Sequence, residues 1–80
     1  MHEMHLIKNL IADLFKHAKQ QEAKKICKIY LRMGTFTEIN EEILRHYIAE
    51  HSKGTIAEGA EVTIEPSQTR EIRLVSFDCE

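Results

Sequence analysis

Met1-His2-Glu3-Met4-His5 offers a metal ion an α-amine, deprotonatable backbone amides and two imidazoles within one short segment. The Met1 amine, the His2 amide nitrogen and the His2 ring close two fused chelate rings around one ion, and the Glu3 amide supplies a fourth nitrogen in the same plane. Planar or tetragonal nitrogen coordination suits Ni(II) or Cu(II), whereas Zn(II) favours a tetrahedron and Mg(II) or Ca(II) favour oxygen. His2 is bulky, so the initiator methionine and its amine are expected to be kept. His5 is a second imidazole within reach. The candidate ligands are therefore Met1, His2, Glu3 and His5. The competing reading is a solvated terminus with no metal role, since the ends of domains are often poorly ordered.

The rest of the chain has to carry this segment. Its 80 residues allow one domain, 1–80, with a small core, and a chain of this size buries only about 60% of its unfolded surface. Eleven Lys and Arg against thirteen Asp and Glu leave a formal charge of −2, which provides no basic field for a phosphate backbone and argues against nucleic acid. No apolar run approaches the roughly 20 residues of a membrane span, and no signal peptide is visible, so a cytoplasmic protein is expected. Cys27 and Cys79 are the two cysteines. A reducing compartment argues against a disulfide between them, and without paired CxxC spacing they do not form a structural zinc site. Cys27 is expected to pack as a small apolar residue. No nucleophile with a neighbouring base and no glycine-rich phosphate loop points to an enzyme.

Ile7, Leu10, Ile11, Leu14, Phe15 and Ala18 recur at three- and four-residue intervals, predicting a first helix from Leu6 to Gln21 with a wet face of Lys8, Asp13, Lys16, Lys19 and Gln20. The period then changes to two. Cys27, Ile29, Leu31 and Met33 alternate with Lys28, Tyr30 and Arg32, predicting a strand with one buried face, ended by Gly34 at a turn that suits glycine's positive backbone angles. Asn40 can cap a second helix over Glu41–Ser52, with Glu41 and Glu42 at the positive end of its dipole and Gly54 past its end. Its expected stripe is Ile39, Ile43, Leu44, Tyr47 and Ile48. Glu42, His46 and Glu50 line one side and read as a solvated face, and His51 as an edge histidine. Ala60, Val62 and Ile64 alternate with Glu61, Thr63 and Glu65 in a further strand, Pro66–Thr69 supply a turn, and a last strand carries Ile72 and Leu74. These two strands are expected to form a hairpin. Val75 and Phe77 are placed on the second face, which is expected to be partly covered by another chain, such as a second copy, or by residues missing here.

Helix, strand, helix, strand, strand, with two apolar stripes to bury, predicts an α+β fold: a two-layer single domain in which a mixed three-stranded sheet packs against two helices.

Met1-His2-Glu3, together with Lys53-Gly54-Thr55-Ile56-Ala57-Glu58-Gly59-Ala60-Glu61-Val62-Thr63-Ile64, resembles the hydrogenase nickel-incorporation protein HypA family over nearly the whole chain. The resemblance implies a cytoplasmic metallochaperone that passes Ni(II) to a hydrogenase precursor with a partner GTPase, and in some members serves urease. It implies a nickel site of the N-terminal amine, His2 and nearby amides. Members carry a zinc ribbon of two CxxC pairs, which this sequence lacks, so zinc is not expected here. His5 and the His46-Tyr47 pair also depart from the usual pattern. The alternative is a metal-independent protein-interaction module that has kept the fold and lost the ribbon and nickel delivery.

Overall fold

The computed structural model describes the backbone of residues 2–35 and 40–80 and the side chains of 5–35 and 40–80. In chain order it contains α1 (His2–Gln20), β1 (Ile26–Gly34), α2 (Glu41–Ser52), β2 (Glu61–Ser67) and β3 (Ile72–Cys79). The α+β architecture is the expected one: two helices on one face of a mixed three-stranded sheet in the order β2-β1-β3. Ile7, Leu10, Leu14 and Ala18 of α1 and Leu44 and Ile48 of α2 join Ile26, Ile29, Leu31, Met33 and Ile72 of the sheet in a single core. Each fully buried Ile or Leu contributes about 1.5–3 kcal/mol relative to an exposed one.

The two last strands do not form a hairpin. β1 pairs in parallel with β2, in the register Ile29↔Val62 and Leu31↔Ile64, and antiparallel with β3, in the register Ile29↔Phe77 and Leu31↔Leu74. β1 is the most completely buried strand, so it takes the centre, and β2 and β3 lie on opposite edges. Helix α2 makes the long crossover that a parallel pair requires. Pro66 and Ser67 belong to β2 rather than to the turn. Proline is tolerated there because β2 is an edge strand that need not donate from every residue.

Two bulges redirect side chains. The pairing passes from Ile26↔Cys79 to Lys28↔Asp78, leaving Cys27 as the extra residue of β1. Ile26, rather than Cys27, is therefore the residue fully buried at this end, and Cys27 is half-buried. Both thiols are free. Burial, followed by the Glu80 carboxylate, pushes the Cys27 thiol up from its ordinary value. A second shift, from Tyr30↔Ser76 to Leu31↔Leu74, leaves Val75 without a partner. It returns Phe77 to the core face with Leu74, correcting the expectation that Phe77 lies outside with Val75. Val75 alone stays out, 52% exposed. The outer face is otherwise polar: Lys28 meets Glu61 at 3.7 Å, Arg32 meets Glu65 at 3.5 Å, and the Tyr30 hydroxyl donates to Asp78 at 3.2 Å.

Helix α1 ends in a Schellman motif: Ala23 N–H donates to Ala18 O at 3.0 Å and Glu22 N–H to Lys19 O at 3.1 Å, around Glu22 at φ 55°. On α2, Asn40 Oδ1 accepts from Ile43 N–H at 2.8 Å, as its cap position predicts. Leu44, Ile48 and Ser52 are the buried row of this helix, and Ile43 is 46% exposed, off the stripe assigned to it. Ile39 lies outside the described residues.

Gly34 has no positive φ. Its reason is space: a Cβ there would stand 1.9 Å from the Thr69 carbonyl oxygen, where the chain leaves β2 and crosses the end of β1 toward β3. Gly34 N–H donates to Glu71 O at 2.7 Å and Thr35 N–H to Ser67 O at 2.7 Å across the same crossing.

Gly34→Ala is expected to lower stability by about 1–3 kcal/mol, because the methyl meets backbone rather than a movable side chain; urea unfolding within about 0.3 kcal/mol of wild type would rule out this packing account. Glu22→Gly is expected to raise stability by about 0.5–1 kcal/mol by removing the left-handed penalty at the helix end, and a loss in the same measurement would show that the Glu22 side chain contributes more than its backbone strain costs.

Candidate metal centre

Helix α1 begins at His2, four residues earlier than the apolar period suggests. The amides of His2 and Glu3 therefore lie in a first helical turn, where no carbonyl four residues earlier exists to accept from them. Their side chains, and Met1 entirely, lie outside the described residues. His5, one turn along the helix, is exposed. Among the described side chains, Ile7 is the first that is fully buried. The candidate ligands thus precede the point at which the core holds the helix. Leu6, 42% exposed, borders Arg70, Glu71 and Ile72, so this end of α1 stands beside the start of β3.

Among the described residues no group of three or more His, Cys, Asp or Glu is arranged to hold a metal ion. Glu42, His46 and Glu50 are all exposed, and Glu50 pairs with Lys53 at 3.2 Å, the arrangement of a solvated helix face. His51 stacks on Tyr47 with ring centroids 4.1 Å apart, an edge histidine as its position suggests.

The Gly-Thr-x-x-Glu-Gly-Ala stretch builds a loop rather than a ligand set. Gly54 and Gly59 adopt φ 74° and 78°, which L side chains rarely do. The Glu58 carboxylate accepts from Gly54 N–H at 2.9 Å; the Thr55 hydroxyl donates to Ser52 O at 2.6 Å and accepts from Ala57 N–H at 3.1 Å. Ala57 is buried, and the Ile56 carbonyl accepts from Ile26 N–H at 2.8 Å, fastening the loop to the start of β1. The sequence pattern of glycines, threonine and glutamate is explained by these turns and bonds.

Sequence reasoning did not find the groove between α1 and β3, which Leu10, Asp13, His17 and Arg73 line. Asp13 lies on the wet face of α1, four residues before His17, and no hydrogen bond or ion pair joins the two among the described residues. What signalled the groove was the unassigned wet face of α1, and nothing in the sequence told which strand would lie beside it.

Among the described residues no helix is long and apolar enough to cross a membrane. The family model for hydrogenase/urease nickel incorporation, metallochaperone, hypA matches residues 1–79. The hydrogenase maturation factor HypA of Archaeoglobus fulgidus is 36% identical over 72 residues, covering 88% of this chain and 66% of that protein. HypA of Pyrococcus horikoshii is 31% identical over 68 residues, covering 85% and 49%. The chain thus spans about half to two thirds of the length of these relatives. The solution structure of the Ni metallochaperone HypA from Helicobacter pylori superposes with a TM-score of 0.78 over 94% of each chain at 15% identity, which establishes a shared fold. With a family match that starts at the candidate ligands and runs through the last strand, this chain belongs to the HypA family of hydrogenase/urease nickel-incorporation metallochaperones.

Proposed function

We propose that this chain holds Ni(II) as cargo at its N-terminus for delivery to a hydrogenase precursor. The Met1 amine, the His2 amide and ring and the Glu3 amide form the plane, and His5 adds an imidazole. The observation that carries this reading is the start of α1 at His2, which leaves the amides of His2 and Glu3 without helical acceptors and so open to a metal. Binding releases protons, so affinity rises with pH. Cu(II) binds more tightly than Ni(II) by the general divalent order, and selectivity then falls to metal supply and to the partner. By family membership the partners are a nickel-handling GTPase and a hydrogenase precursor, in the cytoplasm, with urease a further recipient.

Nickel titration followed by the absorption band of a planar complex tests this. Wild type is expected to bind one equivalent, more tightly at pH 8 than at pH 6.5, while His2→Ala and the N-terminally acetylated chain each lose at least about tenfold in affinity. His5→Ala is expected to lose less. Uptake unchanged by both acetylation and His2→Ala would remove the proposed site and leave the interaction-module reading, for which recovery of the same partners with and without nickel is the signature.

A further inference from the structure

The two edges of the sheet are unequal. Along β2, Arg45 donates to the Val62 carbonyl while its guanidinium is also held by Glu41 at 2.9 Å, and Pro66 brings no N–H. These are ways in which proteins close an edge to further pairing. β3 carries the bulge at Val75, but no side chain or backbone group among the described residues bonds to its outer edge. Instead a groove of about 320 Å³ runs between this edge and α1, with Leu6, Leu10, Asp13 and His17 on the helix side and Ile72 and Arg73 on the strand side.

Arg73 supplies the chemistry. It sits directly opposite Arg32 in the antiparallel register, and like charges in directly opposed positions are destabilising. Arg32 is offset by Glu65 at 3.5 Å. Arg73 has no ion pair among the described residues, and neither does its neighbour at the groove mouth, Arg70. A strand edge with free bonding groups, an apolar floor and an arginine that makes no ion pair among the described residues, with Asp13 and Glu71 bordering it at a distance, is complementary to an extended backbone that sets a carboxylate at Arg73.

We propose that the groove between α1 and the open edge of β3 receives an extended acidic segment of a partner protein as a fourth strand, with Arg73 pairing its carboxylate. The inference does not rest on nickel binding. The occupant is a partner's acidic peptide, chosen by Arg73 and Arg70, neither of which makes an ion pair among the described residues; a second copy is an outcome of the test.

The test uses metal-free protein and two synthetic peptides as long as the 8 residues of β3, one alternating valine with glutamate and one alternating valine with lysine, followed by backbone amide shifts. The glutamate peptide is expected to shift amides of β3 and the facing side of α1, to weaken with added salt, and to bind about tenfold less well to Arg73→Glu. That variant is expected to keep or gain stability, because it removes the clash with Arg32, so lost binding cannot be ascribed to unfolding. Equal binding of the lysine peptide, shifts confined to β2 and α2, no shift at millimolar peptide, or full binding by Arg73→Glu would each overturn the proposal. So would concentration-dependent β3 shifts without peptide together with a dimer in sedimentation, which would make a second copy the occupant.

Discussion

β1 is hydrogen-bonded along both edges and covered on one face by both helices, and every other element takes its place from that constraint. A strand buried on its inner face with Ile26, Ile29, Leu31 and Met33 cannot leave either backbone edge in an apolar interior, because an unpaired buried N–H or C=O costs as much as a lost hydrogen bond. One edge is met by β2 after a helical crossover, the other by β3. To reach the second edge from the first, the chain must pass over the end of β1, and only a residue without a side chain lets it pass as closely as Thr69 does. The Gly34 contact is thus a consequence of the strand order, and so is the separation of the two sheet edges by the width of the sheet.

Much of this was legible from the residues. The three- and four-residue spacing of Ile7, Leu10, Leu14 and Ala18 identifies a helix face because side-chain direction repeats with the helical turn, and Asn40 identifies a helix start because its side chain replaces a missing acceptor. Strand order was not legible. Alternation along 60–65 and 72–77 is compatible with any partner, and proximity in sequence favoured a hairpin that the burial of β1 overrides. The bulges were also hidden, since one unpaired residue at Cys27 and one at Val75 exchange inner and outer faces without changing the sequence pattern nearby. That exchange is why Ile26 and Phe77 face the core while Val75 does not.

The candidate ligands and the stretch most useful for recognising the family occupy opposite roles. Gly54, Thr55, Glu58 and Gly59 are spent on backbone geometry, the first and last for left-handed angles and the others for hydrogen bonds within the loop, which the Ile56 carbonyl fastens to β1. A reader looking for chemistry in a distinctive motif finds structure there instead. The candidate ligands His2, Glu3 and His5 stand at the start of α1, where the first-turn amides have no helical acceptor to lose.

That placement has an energetic consequence for the proposed coordination. A plane of four consecutive nitrogens draws the backbone of residues 1–3 away from helical angles, so binding competes with the first turn of α1. Helix ends open at little cost, whereas positions packed in the core open only with the domain. Ile7 marks the boundary, fully buried against the sheet, and Leu6 just before it is still part exposed. Unwinding residues 2 and 3 withdraws the carbonyls that accept from Leu6 and Ile7 N–H but disturbs no buried side chain among the described residues. The proposed metal capture and release would therefore leave α1 beyond Ile7, and the sheet beneath it, in place.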